Sequence, residues 1–267
     1  MYEKYWGLKE KPFENTPDPR FLFESSQHQE ALTRLKYVIN EEKGMAVLTG
    51  TFGCGKTVIG EKLLKTLNED SFEVAFIVNP QLSAIELLRH IIHNFGYKES
   101  TLDKKDEVIQ KLVEILQNNY SNGKRSILII DEAHLIESLQ IFEELRVLLN
   151  YQLNHHFLLT LLLLGQPELR EKINNLKQFS QRVAISYKLE ALNREEVKQY
   201  VLHRLNIAGC EREIFEDGCY DYIYRHTGGI PRRINHVCDM SLLTGYCEGK
   251  KIITPSIIET VVKDLAA

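Results

Sequence analysis

The stretch Gly50-Thr-Phe-Gly-Cys-Gly-Lys-Thr57 decides the fold of this chain, because its pattern Gly-x4-Gly-Lys-Thr is a signature of loops that hold phosphate groups. The apolar residues Met45–Thr49 before it predict a strand, and Lys56–Leu67 after it predicts a helix. The signature requires this strand–loop–helix setting. Glycines let backbone N–H groups curl around phosphates, and the helix N-terminus adds its positive end. An ordinary glycine-rich turn would not explain the Lys-Thr pair.

The loop predicts that the chain binds ATP together with Mg²⁺. Lys56 is expected to reach the β- and γ-phosphates, and Thr57 is expected to hold Mg²⁺. The residues predicted to line the nucleotide are Gly50, Thr51, Phe52, Gly53, Cys54, Gly55, Lys56, Thr57 and Val58.

A second apolar run, Ile127–Ile130, ends in two carboxylates, Asp131 and Glu132. Ligands of open α/β folds bind at the carboxyl ends of the strands, so this pair is expected beside the nucleotide. Asp131 is predicted to orient Mg²⁺, and Glu132 is predicted to be the base that polarises the attacking water. The same residues begin the letters Asp-Glu-Ala-His of a helicase motif, but nothing after residue 192 resembles a second motor domain. His134 is therefore expected to orient its neighbours or to serve the structure.

Two polar residues near later strands are candidates for responding to the nucleotide. Gln166 follows the apolar run Phe157–Leu164 and is predicted to sense the γ-phosphate; the alternative is a turn residue before Pro167. Arg182 lies just before the last predicted strand, where an arginine can reach a neighbouring subunit's nucleotide and stabilise transition-state charge. Its alternative is a solvated surface arginine.

A third candidate lies in the stretch Thr227-Gly-Gly-Ile-Pro-Arg-Arg-Ile-Asn235. This stretch predicts the start of a helix, because Pro231 suits a first turn and the glycines permit a sharp entry. Arg232 is predicted to point at the γ-phosphate from this turn, with Arg233 as the second candidate. For either arginine, the alternative is a salt bridge within the C-terminal helical lid, which is described next.

The order of the predicted elements indicates the fold class. Strands and helices alternate up to about residue 189, which predicts a parallel sheet covered by helices on both faces. After Leu192 only helices are predicted, over 193–207, 211–226, 230–247 and 254–264. The fold predicted is a three-layer α/β P-loop NTPase domain over residues 1–192, with 1–25 as an extended strap, followed by a small all-α lid over 193–267.

Composition narrows the class of protein. Hydrophobic residues make up 43% of the chain, and 33 basic against 37 acidic residues give a net charge of −4, which argues against a general polyanion binder. The N-terminus lacks the apolar core of a signal peptide. The most hydrophobic stretch is far shorter than the ~20 residues that span a bilayer. The five cysteines form no CxxC pair and no zinc pattern. We therefore expect a soluble cytoplasmic protein without a transmembrane segment.

These motifs together resemble those of the AAA+ ATPases, on the initiator and clamp-loader side of that superfamily. More narrowly, the chain is similar to the general secretion pathway protein A (ExeA-like) family over nearly its whole length. The stretches that carry the resemblance are Tyr5-Trp-Gly-Leu8, Pro12-Phe13, Thr16-Pro-Asp-Pro19, Phe21-Leu-Phe23, Glu144-Leu-Arg-Val-Leu-Leu-Asn150, Leu164-Gly-Gln-Pro-Glu-Leu169 and Gly228-Gly-Ile-Pro-Arg-Arg-Ile-Asn235.

The resemblance implies a nucleotide-dependent ring or other oligomer, with adenine held between the N-terminal strap and the lid. Pro12 and Phe13 are then candidate adenine contacts, and a core position is the alternative for Phe13. Secretion-type members continue into a membrane span and a peptidoglycan-binding region, whereas this sequence stops at Ala267. We expect a stand-alone member or the ATPase part of a longer protein, with recruitment to the inner membrane depending on a partner.

Two functions follow from these predictions. The first is an ATPase that remodels or assembles a protein partner in secretion or pilus biogenesis. The second is an ATP-dependent DNA-binding regulator of the transposition type. Net charge favours the first, whereas basic residues of the lid keep the second open: Arg194, Lys198, Arg204, Arg212, Arg225, Arg232, Arg233, Lys250 and Lys251. An independent helicase is a third reading, and the length of the sequence argues against it.

Overall fold

The structure is a computed structural model that describes residues 1–16, 18–97 and 104–266. Pro17, within one of the stretches that carry the family resemblance, lies outside the described residues. The strands are β1 (Met45–Gly50), β2 (Phe72–Ile77), β3 (Arg125–Ile130), β4 (Gln152–Leu153), β5 (His156–Phe157), β6 (Leu159–Gly165) and β7 (Val183–Leu189).

Helices connect and follow these strands. They are α1 (Glu3–Trp6), α2 (Ser26–Asn40), α3 (Lys56–Thr66), α4 (Ala84–Asn94), α5 (Lys105–Ser121), α6 (Leu139–Leu148), α7 (Pro167–Asn175), α8 (Lys177–Ser180), α9 (Arg194–Ile207), α10 (Cys219–Thr227), α11 (Pro231–Cys247) and α12 (Pro255–Ala266). Single 3-10 turns cover Pro19–Phe21 and Ala133–Leu135.

Five strands form a parallel sheet in the order β2-β3-β6-β1-β7. The central strands β1 and β6 are buried along their whole length, as their unbroken apolar sequences require in a sheet covered on both faces. Thr49 pairs with Gly165, and Ile130 pairs with Leu163. The carboxyl ends of β1, β3 and β6 therefore lie at one edge of the sheet. The predicted three-layer α/β fold with a parallel sheet and a helical lid is confirmed.

The described residues divide into two compact units, and we name them by their content. The sheet unit contains His28–Gly50 and Ile59–Leu189, and the helical unit contains Met1–Gln27, Thr51–Val58 and Glu190–Ala267. The domain boundary predicted at residue 192, and the assignment of residues 1–25 to the nucleotide-binding domain, stay predictions.

The helical unit has its own apolar core, which includes residues of the N-terminal strap. Trp6 is fully buried, and its indole N–H donates to the carbonyl of Leu242 at 2.9 Å. The guanidinium of Arg204 donates to the backbone carbonyls of Pro12 and Glu14. The strap therefore fills and caps the core of the helical unit. It is not extended throughout, because α1 and a 3-10 turn interrupt it.

Two predicted helices are shorter in the structure. The periodic residues Ser138–Leu153 predict a helix, but in the structure this helix ends at Leu148. A hairpin of two-residue strands, β4–β5, follows it, with Asn154 and His155 at φ values of 50° and 67°. Such left-handed positions are typical of tight hairpin turns. The helix expected from residue 211 begins only at Cys219, because Phe215 instead pairs with Ile253 in a parallel bridge.

Candidate nucleotide-binding site

The phosphate loop runs from the carboxyl end of β1 into the first turn of α3. Gly53 and Gly55 have φ values of 85° and 98°, which residues with side chains rarely adopt. A Cβ at Gly53 would also lie 2.7 Å from the Cβ of Arg232, so only glycine fits there. The buried Lys56 ammonium donates to the carbonyl of Thr51 at 3.2 Å. This loop has the backbone shape and the buried cation that a phosphate ligand requires.

The first turn of α11 lies against this loop within the helical unit. The backbone N–H of Arg232 donates to the carbonyl of Gly53 at 3.4 Å, and its guanidinium lies 4.7 Å from the ring centroid of Phe52. The entry to the helix is tight, since a Cβ at Gly229 would lie 1.9 Å from the carbonyl oxygen of Leu192. The structure thus brings Arg232 to the phosphate loop. Arg233 is exposed on the same turn.

Asp131 directly follows β3 at the sheet edge where β1 and β6 also end. Its backbone N–H donates to the carbonyl of Ile77 at 2.8 Å, which extends the ladder with β2. The carboxylate is fully buried, and its Oδ1 accepts the backbone N–H of Glu132 at 2.8 Å. A carboxylate at this strand end offers the kind of oxygen ligand that Mg²⁺ prefers.

Glu132 occupies a left-handed backbone position with φ of 51°, which is uncommon for a residue with a side chain and is found at functional sites. Its Oε2 lies 3.2 Å from Nδ1 of His134. Nε2 of His134 lies 2.9 Å from the side-chain amide nitrogen, Nε2, of Gln166, which is the residue after β6. The structure therefore places His134 between two predicted site residues, Glu132 and Gln166.

The turn that carries His134 is attached to α7. The ammonium of Lys172 donates to the backbone carbonyl of His134 at 2.5 Å and to that of Ile136 at 3.1 Å. Sequence reasoning missed Lys172, because a lysine on the polar side of an amphipathic helix carries no signal that distinguishes it from a solvated one.

The remaining predicted site residues lie elsewhere in their units. Phe13 is buried in the helical unit with its ring edge-on to that of Phe215, at a centroid distance of 6.3 Å. Pro12 is also buried, and its carbonyl accepts from Arg204. In the sheet unit the guanidinium of Arg182 donates to the side-chain carbonyl of Asn150. Adenine contacts for Pro12 and Phe13, and a role in catalysis for Arg182, stay predictions.

The parallel sheet, the Gly-Lys-Thr loop at the end of its central strand and the Asp-Glu pair at a neighbouring strand end define a P-loop NTPase fold. A family described as "AAA domain" matches residues 39–173. The chain belongs to this AAA family of nucleotide-binding ATPases.

A relative confirms the narrower resemblance drawn from the motifs. The chain is 36% identical over 256 residues to the general secretion pathway protein A of Aeromonas hydrophila, a match that covers 93% of this chain and 46% of the relative. The chain therefore spans less than half the length of that relative.

Several solved structures share this fold. The ORC2 protein of Aeropyrum pernix, in ADPNP-ADP complexes, has a TM-score of 0.70 at 17% identity, covering 96% of this chain and 71% of its own. Drosophila ORC bound to DNA has a TM-score of 0.76 at 15% identity, covering 100% and 66%. The RuvB Holliday junction branch migration motor of Thermotoga maritima has a TM-score of 0.55 at 16% identity, covering 89% and 69%. At these identities the likeness shows the fold alone.

Among the residues that the structure describes, none of the helices combines the length and the apolar character needed to cross a bilayer.

Proposed function

We propose that this chain binds Mg²⁺-ATP at the Gly50–Val58 loop and hydrolyses it. One observation carries the proposal: left-handed glycines and a buried lysine follow β1 in the sequence, and the carboxyl end of β1 lies at the same sheet edge as that of β3, which Asp131 and Glu132 follow. Parallel α/β sheets bind ligands at this edge. Membership of the AAA family supports nucleotide binding and ATPase activity at the level of the family.

Each loop residue has a role that its position supports. Backbone N–H groups of Gly53–Lys56 donate to phosphate oxygens, and the Lys56 ammonium exchanges its contact with the Thr51 carbonyl for the β- and γ-phosphates. Thr57 and Asp131 supply the hydroxyl and carboxylate oxygens that Mg²⁺ prefers. The bound ion would neutralise charge on the phosphates.

Glu132 accepts a proton from the water that attacks the γ-phosphate, and Gln166 responds to that phosphate. Arg232 on α11 is the arginine of the lid that reaches the phosphates, and its position against the loop supports this role. Arg182 completes the site of a neighbouring subunit in a ring or other oligomer, so full turnover needs self-association.

For the use of the ATP, we favour remodelling or assembly of a protein partner in a secretion or pilus system. The printed name of the relative, general secretion pathway protein A, supports this reading, as does a net charge of −4. The chain would then work in the cytoplasm and reach the inner membrane through its partner. ATP-dependent DNA binding is the alternative outcome of the test below.

The test measures ATP hydrolysis and ATP binding in the wild type, in Glu132→Gln and in Glu137→Gln. Glu137 is exposed and has no role in the predicted site, so it undergoes the same chemical change as a control. We expect Glu132→Gln to bind ATP normally and to lose roughly 10²-fold or more in turnover. Full turnover in that variant would remove Glu132 from the base role.

A salt titration of DNA binding, with and without ATP, decides between protein and DNA partners. Binding through phosphate contacts falls steeply as the salt concentration rises. A steep fall of DNA affinity with salt that is seen only with ATP would overturn the protein-partner reading in favour of DNA. The absence of ATP-dependent DNA binding at low salt would support the protein-partner reading.

A further inference from the structure

His134 lies between the two residues that we propose act on the water and on the γ-phosphate. Its Nδ1 is 3.2 Å from the Glu132 carboxylate, and its Nε2 is 2.9 Å from the Gln166 amide nitrogen. The imidazole is largely buried, with 12% of its side-chain surface exposed. A buried imidazole with one polar neighbour on each nitrogen is restricted in how it can orient.

The chemistry of the two neighbours assigns the tautomer of this ring. The Gln166 amide nitrogen can only donate, so Nε2 of His134 must accept. In a neutral imidazole the other nitrogen, Nδ1, then carries the proton and can donate to the Glu132 carboxylate. The Glu132–His134 pair has the distance of a hydrogen bond but not its alignment, since neither Oε2 nor Nδ1 has an aligned partner within the described residues. A small rotation of the carboxylate or the ring would complete the bond.

The backbone around His134 is fixed by neighbouring elements. Lys172 donates to the carbonyls on both sides of the turn, at His134 and Ile136. A Cβ at Gly165 would lie 3.1 Å from the backbone nitrogen of His134 and 2.8 Å from a methyl group of Leu169, so glycine allows β6 to approach this closely. The turn and the end of β6 are thus held together, and Gln166 begins where they meet.

We propose that His134 is a positioning residue that couples Gln166 to Glu132. When Gln166 turns toward a γ-phosphate, Nε2 of His134 loses its donor, the ring is free to rotate, and the Nδ1–H bond to Glu132 aligns the carboxylate for the attacking water. When the phosphate leaves, Gln166 returns and the carboxylate is no longer aligned. This inference rests on the proposed ATP hydrolysis, because it assigns Glu132 the role of base.

Two conservative substitutions separate the two ends of the imidazole. His134→Asn retains an amide donor near the position of Nδ1 and loses the link to Gln166. His134→Gln reaches the position of Nε2 and loses the donor to Glu132. We expect both variants, and His134→Ala, to lower kcat roughly 10- to 100-fold, the range for a misplaced reacting group. The KM for ATP and the affinity for a non-hydrolysable ATP analogue should stay within about twofold of the wild type.

A double-mutant cycle tests the coupling itself. Gln166→Ala should lower kcat in the wild type and have little further effect in His134→Ala, because the effects of residues that act through one another are not additive. Effects that multiply would overturn the coupling. Equal loss of nucleotide affinity and thermal stability in every His134 variant would mean a structural role only, and would also overturn it.

A measurement that does not depend on ATP turnover can overturn this inference without overturning the proposed function. Nitrogen NMR of the imidazole, assigned with His134→Asn, should show protonated Nδ1 and unprotonated Nε2 in the nucleotide-free protein. The opposite tautomer would overturn the relay even if the wild type hydrolyses ATP. Absence of hydrolysis in the wild type, or full activity in Glu132→Gln, would instead overturn the proposed function and the relay with it.

Discussion

The guanidinium of Arg232 lies 4.7 Å from the ring centroid of Phe52, which links the lid helix α11 to the phosphate loop through a cation–π contact. Phe52 is more than half exposed, at 53% of its surface, although it lies in the loop itself. An aromatic ring at this place gives the arginine a partner when no phosphate is present.

Phe52→Leu should release Arg232 from this partner and raise the affinity for ATP. The contact is worth about 0.5–1 kcal/mol at an exposed site, which corresponds to about a two- to fivefold change in the dissociation constant. Phe52→Tyr retains the ring and should leave the affinity unchanged. Fluorescence titration of a nucleotide analogue measures the effect. In an Arg232→Ala background the change at Phe52 should have no effect, and a full effect there would contradict the competition.

Gly53→Ala should damage the phosphate loop far more than an ordinary glycine substitution. Its Cβ would lie 2.7 Å from the Cβ of Arg232 at a φ of 85°, so a clash adds to the backbone strain. Gly123→Ala is the matched control, because Gly123 has a φ of 75° with nothing within 4 Å. The control should lose about 1–2 kcal/mol of unfolding free energy from strain alone. Gly53→Ala should in addition weaken ATP binding at least about fivefold, since overpacking costs about 1–3 kcal/mol more. Equal nucleotide affinity in the two variants would show that the close approach of Arg232 is immaterial.

Lys172→Met should destabilise the turn that carries His134. It removes two hydrogen bonds from an ammonium to backbone carbonyls, and bonds of this kind contribute about 1.5–3 kcal/mol each where they are buried, less here because Lys172 is half-buried. We therefore expect a loss of roughly 1–3 kcal/mol in denaturant unfolding, together with a lower kcat. Lys177→Met, an exposed lysine on the neighbouring helix α8, is the control and should change neither quantity. A Lys172 variant as stable and as active as this control would show that the turn needs no anchor.

Arg182→Ala should affect turnover only where subunits meet. In a single chain the guanidinium is bonded to Asn150, so its loss should leave nucleotide affinity intact. We expect ATPase activity per subunit to rise with protein concentration in the wild type and to lose roughly 10³-fold or more at its maximum in the variant. The exposed Arg170, on α7, provides the control substitution to alanine. Light scattering with and without nucleotide reports the assembly. Concentration-independent activity, unchanged by the mutation, would exclude an arginine supplied by a neighbour.

The cysteines should differ sharply in reactivity with pH. Burial raises the pKa of the Cys219 thiol to about 12 and that of Cys238 well above its ordinary value, whereas Cys247 is exposed. Alkylation needs the thiolate, so at mildly alkaline pH Cys247 should react first and the buried pair only on unfolding. Because the folded pKa values are raised, the free energy of unfolding should fall as the pH rises above the ordinary value of 9.0. Mass spectrometry of the labelled native protein checks the order, and early labelling of Cys238 would contradict its burial.

The local elements of this fold were largely readable from the residues. Unbroken apolar runs predicted β1, β3 and β6, because a strand covered on both faces has no polar side. The Gly-x4-Gly-Lys-Thr pattern located the phosphate loop among the alternating strands and helices. Phosphate binding needs the backbone freedom of glycine and a lysine at a fixed spacing, and both are visible in the sequence. The prediction that a helix extends to residue 153 was wrong, because it overlooked the turn at Asn154 and His155. A hairpin whose strands have only two residues shows too little periodicity to be detected in a sequence.

Side-chain proximity between distant segments depended on the tertiary structure. The sequence by itself determined that a phosphate loop, an Asp-Glu strand end and a lid helix beginning near Pro231 are present, because each is encoded by neighbouring residues. Only the folded chain decided that Arg232 lies over Phe52, and that Glu132 and Gln166 meet on the two nitrogens of His134. These contacts arise from the parallel pairing of β3 with β6 and from the close approach that Gly53 and Gly165 allow, and no local pattern encodes such a distance.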